Sequence, residues 1–385
     1  MIEKRVKTVF CGAFLAFLVL PLLFVNLKPA QRSKAENRKL AEMPKLRQED
    51  GSLNRTFTSD VGSWIDDRIG FRNAFVTQNA LLQYHLFGLL SDHDDFYLGT
   101  DGSLAYATDA VIKDYQRFDL KTDGELRTIA YSFQCVKDYV EDRGAQFFYF
   151  QCWDKQTIYP SSFPAHVRQY GEESKTDQVI RTLKEQTDVD VIDPKEALIR
   201  GKAKYPTYSF WGDATHWSRR GAFIGYQQLM TEINRRRSGR YRVLTEADYD
   251  LSLTDQGMTL FGGIHRPDLL ESFRLKDPKA YRTDEAPLYL SQWQKNSRTI
   301  YRNDSAGNGD TLLVIGDSYF DNFLIDDLAE SFHKTVMIWG DYIQYLPEMM
   351  DAYHPSVVVC ENAERCDRTG RMVKTAERIR GSETS

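Results

Sequence analysis

The hydrophobic pattern opens with one long apolar run near the N-terminus. Residues 9–27 are apolar apart from Asn26, and three basic residues precede them. As a helix this run would measure about 28 Å, enough to cross the hydrocarbon core of a membrane. A cleavable signal peptide has a shorter apolar core and a small-residue cleavage site, which the following Asn-Leu-Lys-Pro-Ala does not supply. We therefore predict an uncleaved membrane anchor at residues 1–27. The alternative, a buried soluble helix, would need an apolar partner on every face.

The next part of the chain changes from polar to helical in pattern. Residues 28–56 are polar and lack apolar periodicity, which indicates a stalk. Over residues 57–87 the apolar side chains recur at helical intervals, with a break at Gly70 that predicts two helices. An Asp-Gly pair between two short apolar runs then predicts a hairpin within residues 92–106.

From residue 120 onward, predicted helices alternate with short, continuously apolar strands. The helices are expected at residues 120–143, 175–186, 219–235 and 320–332, and the strands at residues 146–151, 189–192, 311–315, 334–339 and 356–360. Such alternation is typical of an α/β fold whose mostly parallel sheet is covered by helices on both faces. We place this domain at residues 57–370, with an irregular insertion at residues 241–308 and a polar tail at residues 371–385.

Composition narrows the class of protein without naming it. The chain of 385 residues is 42% hydrophobic, enough to bury a sizeable core, and its formal net charge is −5. That balance argues against nucleic-acid binding, which needs an excess of cations. The five cysteines form no C-x-x-C pair and no zinc-like spacing. We expect free thiols, with a Cys360–Cys366 bridge as the alternative, and no metal or other cofactor.

A candidate nucleophile lies where a predicted strand meets a helix. Gly316-Asp317-Ser318 follows the apolar strand at residues 311–315. Sites in parallel-sheet folds form at the carboxyl ends of strands, and backbone N–H groups at a helix start can stabilise an oxyanion. The alternative is that Asp317 or Ser318 only caps the helix, a common role for both residue types.

A candidate base and its acid lie on one predicted loop. His216 stands three residues after Asp213, just before the helix predicted at residues 219–235. A serine nucleophile needs a general base near neutral pH, and a carboxylate commonly orients that histidine. The alternative is a capping aspartate and a half-buried histidine.

The two motifs together resemble those of the SGNH-hydrolase-like polysaccharide O-acetyltransferases, of which the alginate enzymes are the type. Five further segments match the family in order, and the resemblance covers nearly all of the chain beyond the anchor. They are Glu36–Pro44 (E-N-R-x-L-A-x-x-P), Asp66–Arg72, Asp101–Leu104 (D-G-x-L), Asp154–Pro160 (D-K-x-x-x-Y-P) and Glu361–Arg365 (E-x-x-E-R). One departure is clear: the family usually places the acid two residues before the histidine, where this chain has Ala214.

The resemblance implies an SGNH-hydrolase-like three-layer sandwich preceded by one transmembrane helix, with a catalytic triad of Ser318, His216 and Asp213. It also implies O-acetyl transfer onto an extracytoplasmic polysaccharide, with a polytopic membrane acyltransferase as the acetyl supplier. The catalytic domain is then expected outside the cytoplasmic membrane. Two alternatives stay open: an acetyl esterase with the same residues, and a catalytically silent polysaccharide-binding subunit.

Three further residues are candidates for substrate binding. Lys155 and Tyr159 follow the strand at residues 146–151, at the sheet edge where Ser318 is expected, and Trp217 follows the histidine. Lys155 and Tyr159 are expected to contact sugar or an ester carbonyl, and Trp217 is expected to stack on a sugar ring. A structural ion pair and turn is the alternative for Lys155 and Tyr159, and core packing is the alternative for Trp217.

Overall fold

The computed structural model describes residues 2–26, 32–33, 38–90, 95–296 and 298–383. The chain divides into two compact units. One comprises Met1–Asp94 with Thr259–His265, and the other comprises Asp95–Met258 with Arg266–Ser385. Residues 1 and 27 of the predicted anchor, residues 28–31 and 34–37 of the predicted stalk, residues 91–94 at the predicted hairpin, residue 297 and the last two residues lie outside the described residues.

Thirteen α-helices and fifteen strands are assigned within the described residues. The helices are α1 (Ile2–Leu23), α2 (Phe57–Asp66), α3 (Arg72–Leu82), α4 (Asp109–Gln116), α5 (Asp123–Glu141), α6 (Lys155–Ile158), α7 (Lys175–Gln186), α8 (Lys195–Gly201), α9 (Arg219–Arg236), α10 (Ser318–Phe323), α11 (Ile325–Ala329), α12 (Leu346–Tyr353) and α13 (Thr369–Glu383). The strands are β1 (Arg32–Ser33), β2 (Arg38–Lys39), β3 (Phe96–Leu98), β4 (Leu104–Tyr106), β5 (Gln146–Cys152), β6 (Asp190–Ile192), β7 (Tyr249–Asp255), β8 (Thr259–Leu260), β9 (Ile264–His265), β10 (Leu269–Leu275), β11 (Tyr281–Arg282), β12 (Ile300–Arg302), β13 (Thr311–Gly316), β14 (Lys334–Trp339) and β15 (Val357–Ala363).

A seven-stranded sheet forms the centre of the larger unit. Its strand order is β11-β12-β14-β13-β15-β5-β6. The five strands from β14 to β6 are parallel, and β12 and β11 add an antiparallel edge. The mostly parallel sheet predicted from the alternation of elements is confirmed.

Both faces of this sheet are covered, which explains why its strands are apolar without alternation. Phe148 and Phe150 of β5 point into one core, shared with α9, α10 and α11. Phe147 and Tyr149 point into the opposite core, shared with α5, α12 and α13. The result is a three-layer α/β sandwich, as expected.

The structure corrects three predictions about the larger unit. The predicted polar tail at residues 371–385 is largely the helix α13, because Met372, Ala376 and Ile379 recur at helical spacing and are buried. The predicted irregular insertion contains the β7–β10 ribbon and both antiparallel edge strands. The helix predicted at residues 320–332 is two short helices, α10 and α11. The predicted hairpin is confirmed for β3 and β4, and all five cysteines are free.

The smaller unit contains the apolar N-terminal helix. Among the described residues, α1 is the one helix long and apolar enough to cross a membrane, over Arg5–Leu23, and only 6% of its most apolar stretch is buried. The end of α1 contacts the residues before α3, where the Gly70 N–H donates to the Pro21 carbonyl oxygen at 2.9 Å. α2 and α3 are the two helices predicted on either side of Gly70.

Candidate active site

The strand β13 delivers Ser318 to the carboxyl edge of the sheet. Asp317 caps α10 by accepting a hydrogen bond from the Tyr319 N–H at 3.0 Å, so Ser318 is the first residue of that helix. Gly316 is required at the strand end, because a Cβ there would lie 2.7 Å from Glu361 Oε2 and 3.0 Å from Glu361 Cβ. The serine side chain is half-buried.

The loop between α8 and α9 delivers the histidine and its acid. A bridge between Tyr208 and Trp217 closes this loop, and Ser218 then caps α9 by accepting from the Gly221 N–H at 3.1 Å. The cap at Ser218 fixes where the loop ends and α9 begins. His216 therefore lies just before a rigid helix, separated from it by Trp217 and Ser218.

The three predicted residues meet in one chain of hydrogen bonds. Ser318 Oγ lies 2.7 Å from His216 Nε2, and His216 Nδ1 lies 2.8 Å from Asp213 Oδ2. The carboxylate contact assigns the ring proton to Nδ1, which leaves Nε2 to accept the serine proton. The arrangement is that of a serine triad.

Asp213 is held ionised although it is partly withdrawn from water. Burial by itself would raise its pKa, but the hydrogen bond and charge of His216 and the hydrogen bonds from Thr215 outweigh it and lower the pKa. Its Oδ1 accepts from the Thr215 N–H at 2.8 Å, the Thr215 hydroxyl at 2.6 Å and the His216 N–H at 3.1 Å. The minus-three spacing thus makes one tight turn in which Oδ1 binds the backbone and Oδ2 binds the imidazole.

A second carboxyl group, Asp268, holds the start of the same loop. It is buried and accepts hydrogen bonds from the Ser209 hydroxyl, from the Trp211 N–H at 2.8 Å and from the Gly212 N–H at 3.0 Å. Ser209 Oγ in turn accepts from the Asp213 N–H at 2.9 Å. The position of the candidate acid, Asp213, therefore depends on a residue from the segment predicted to be an irregular insertion.

The carbonyl of Thr215, directly before His216, is held by two side chains. Arg365 Nη1 donates to it at 3.0 Å and also pairs with Asp154. The Tyr319 hydroxyl lies 2.8 Å from the same carbonyl oxygen, 2.9 Å from that of Trp153 and 3.1 Å from Asp154 Oδ1. Tyr319 follows the serine and Thr215 precedes the histidine, so we call Arg365, Asp154 and Tyr319 the positioning clamp.

A buried ion pair supports the backbone beneath the serine. Burial would raise the pKa of Asp317, but the nearby Arg368 guanidinium, 2.9 Å away, keeps it lowered. Burial and the charge of Asp317 raise the pKa of Glu361, whose Oε2 accepts from the Asp317 N–H at 2.6 Å. Arg368 thus favours the ionised form of Asp317, while burial favours the neutral form of Glu361.

The three candidate substrate residues are engaged with protein. Lys155 is buried and donates to the carbonyl oxygens of Leu104 at 2.7 Å and Phe210 at 3.4 Å. The Tyr159 hydroxyl accepts from the Thr207 N–H at 3.1 Å. Substrate contact by Lys155 and Tyr159 stays a prediction.

Trp217 requires a correction. Its ring is fully buried and meets Phe150 and Tyr319 edge-on, with centroids 6.1 and 5.2 Å away. A ring with no accessible face cannot stack on a sugar, so core packing, the alternative considered from the sequence, describes Trp217.

Sequence reasoning missed the positioning clamp and Asp268. Asp154 and Arg365 stood in recognised segments, but nothing in the sequence linked two residues 211 positions apart to one carbonyl. No motif or residue pattern in the sequence pointed to Asp268. Within the described residues, no group of three or more His, Cys, Asp or Glu side chains is arranged to hold a metal ion.

Comparison with known families decides the classification. The sequence model of the SGNH hydrolase-like domain of the acetyltransferase AlgX matches residues 115–331, more than half of the chain. The chain belongs to this family. The AlgX-type match includes all three triad residues, whereas Arg365 and Arg368 lie beyond it. No curated protein sequence gives a significant match to the chain.

Solved structures agree with the AlgX-type fold. PatB1 of Bacillus cereus with a sulfonyl adduct has a TM-score of 0.54 and 18% identity, covering 72% of this chain and 97% of that one. A second PatB1 structure has a TM-score of 0.50, 17% identity and coverage of 72% and 98%. The O-acetyltransferase domain of Pseudomonas putida AlgJ has a TM-score of 0.46, 16% identity and coverage of 73% and 98%. At these identities the likeness to PatB1 shows the fold.

Burial of Lys155 predicts a pH dependence of stability. Burial lowers the pKa of this lysine from 10.5 to about 8, against the attraction of Asp101, Asp268 and Asp213. Between these two pH values the unfolded chain binds more protons than the folded one, so the contribution of Lys155 to stability rises with pH. Lys155→Met should remove this rise, measured by urea unfolding across the window. The exposed Lys374→Met is the control, and equal pH slopes in all three proteins would contradict the assignment.

The positioning clamp predicts an effect on turnover without an effect on binding. Tyr319→Phe removes the hydroxyl beside Thr215 and should lower kcat for a small acetyl ester by about ten- to a hundredfold, with KM nearly unchanged. Tyr226→Phe is the matched control, because it removes a buried hydroxyl that accepts from the Leu244 N–H at 2.9 Å. Equal kcat values in the two variants would show that Tyr319 is only structural.

Proposed function

We propose that this chain is a serine O-acetyltransferase that modifies an extracytoplasmic polysaccharide through an acetyl-enzyme on Ser318. The observation that carries the proposal is the continuous hydrogen-bond chain from Asp213 through His216 to Ser318. Membership in an acetyltransferase family gives the transferred group. Serine, imidazole and carboxylate in this order are the groups that acyl transfer needs.

The first half-reaction loads the serine. His216 Nε2 takes the Ser318 proton as Oγ attacks the carbonyl carbon of an acetyl ester or thioester donor. The C–O or C–S bond to the donor breaks as the tetrahedral intermediate collapses, and the leaving group takes the proton from His216. Asp213 stabilises the imidazolium that exists between these two proton transfers.

The second half-reaction transfers the acetyl group to the polymer. A sugar hydroxyl gives its proton to His216 Nε2 and attacks the acetyl carbonyl. The Ser318 ester bond then breaks and Oγ recovers the proton, which leaves an O-acetyl sugar and free enzyme. Water in place of the sugar would give an acetyl esterase with the same residues.

One oxyanion donor is supported by the structure. The Ser318 N–H donates to no acceptor among the described residues, since Asp317 Oδ1 accepts from Tyr319 and not from the serine. An N–H group beside the nucleophile can stabilise the negative oxygen of the tetrahedral intermediate. In our proposal the Ser318 N–H is therefore one of the oxyanion donors.

The apolar helix α1 supports the proposed location. We assign it as a single-pass anchor with the catalytic unit outside the cytoplasmic membrane, next to a polysaccharide acceptor. Acetyl-coenzyme A is cytoplasmic, so acetyl groups must be carried across. The described part of the chain has one candidate span, too few to form such a path. A polytopic membrane acyltransferase is the partner we propose for this step.

Removal of the nucleophile tests the acyl-enzyme. Ser318→Ala should abolish both ester turnover and covalent labelling by a serine-reactive phosphonate, read as added mass on the intact protein. His216→Ala should be as damaging, and Asp213→Asn should cost less but still orders of magnitude, because the triad acts as a unit. The exposed Ser305→Ala is the matched control and should keep both properties. Labelling that persists in Ser318→Ala would refute the nucleophile.

Product analysis separates transfer from hydrolysis. The full chain in detergent, given an activated acetyl ester and candidate oligosaccharides, should yield acetylated sugar detectable by mass spectrometry, with slow release of acetate. Ser318→Ala should yield neither product. Acetate alone across several acceptors would favour the esterase, and neither product from the unaltered chain would favour the silent binding subunit.

A further inference from the structure

The helix α3 exposes its apolar face and packs its opposite side. Ala80 is buried where the helix meets Thr259–His265, and a Cβ on Gly262 would lie 3.2 Å from the Ala80 Cβ. The opposite face carries five large apolar side chains that are between 41% and 67% exposed; we call them the apolar stripe. Phe71 directly precedes α3, Phe75 and Leu82 lie on it, Leu86 lies on the π-helical segment Gln83–Phe87 that continues it, and Leu89 follows that segment.

This arrangement is the reverse of an ordinary surface helix, whose apolar side faces the core. Residues 73–90 contain no Asp, Glu, Lys or Arg, although these residues make up 27% of the chain. A contiguous apolar surface without charges is unfavourable in water and marks a contact with a partner or a membrane. We therefore expect a partner or a membrane to bury the apolar stripe.

The stripe is continuous with the surface of α1. The Phe75 ring centroid lies 5.3 Å from that of Phe17, and the Phe71 centroid lies 5.2 Å from that of Phe24. If lipid surrounds α1, the same lipid reaches Phe71 and Phe75. Leu82, Leu86 and Leu89 continue the apolar stripe away from these two ring contacts.

We infer that the apolar stripe of α3 contacts bilayer lipid beside the anchor, so that the chain contacts lipid at two places. This inference rests on the proposed membrane location. Asn73, Gln78, Asn79 and Gln83 interrupt the segment, and α1 is the one candidate span among the described residues, so we do not assign α3 as a second crossing. The absence of charged side chains favours lipid over a protein partner, whose interface would have a polar rim.

Site-specific photocrosslinking in native membranes tests this inference. A benzophenone amino acid replaces Leu82, Leu86, Leu15 or Asn73 in the full chain, one position at a time. Leu15 is exposed on α1 and reports on the anchor. Asn73 is an exposed control seven residues before Ala80, on the packed side of α3. Each variant is first checked for folding by circular dichroism and by its thermal unfolding midpoint, both compared with the unaltered chain.

After irradiation, mass spectrometry of the digested protein should find phospholipid adducts at positions 82, 86 and 15, and none at position 73. Lipid adducts at position 15 together with polypeptide adducts at 82 and 86 would overturn the inference in favour of a protein partner or a second copy. Adducts at 15 with none at 82 and 86 would overturn it in favour of exposure to water. A lack of lipid adducts at position 15 would refute the anchor itself, whatever the outcome of the acetyl-transfer experiments.

Discussion

The site depends on holding the ends of three adjacent parallel strands, β13, β15 and β5, in a fixed relation. Glu361 and Glu364, at the end of the middle strand, accept hydrogen bonds from the N–H groups of Asp317 at 2.6 Å and Asp154 at 2.9 Å. These two acceptors thus join the segments that follow both neighbouring strands. Burial raises the pKa of both glutamates and so favours their neutral forms. An ionised carboxylate at such depth would be costly to desolvate.

Two buried ion pairs lie at this edge of the sheet. Arg368 pairs with Asp317 beneath the serine, and Arg365 pairs with Asp154 beside the histidine loop. Removing one member of such a pair leaves an unpaired buried charge, which costs about 3–5 kcal/mol. Both arginines come from the turn after β15. One strand end therefore fixes the backbone on both sides of the hydrogen bond between Ser318 and His216, which is the preorganisation that the proposed acyl transfer would need.

The elements that could be predicted from the sequence are those whose apolar pattern or capping residues lie within the element itself. The buried strands β5 and β13 appear as continuous apolar runs, and α7 has the predicted bounds because Ser174 and Asp177 form a capping box. Ser318, His216 and Asp213 could be selected as candidates because each lies beside a strand or helix that the local sequence pattern predicts. Other features depend on tertiary contacts. The helix α13 was missed because its buried residues, Met372, Ala376 and Ile379, are few within a polar segment. Asp268 was missed because its hydrogen-bond partners lie 56–59 residues away in the sequence.

The turn that joins the acid to the base has a consequence for folding. Asp213 and His216 are three residues apart and share one set of local hydrogen bonds, although Asp268 holds the start of the same loop from a distant segment. Ser318 is 102 residues away from the histidine and reaches it only through the completed sheet. In the unfolded or half-folded chain it is an ordinary alcohol, no more nucleophilic than any other serine. If Ser318 is the nucleophile that we propose, it meets its base only when the strands that carry the two residues are in place.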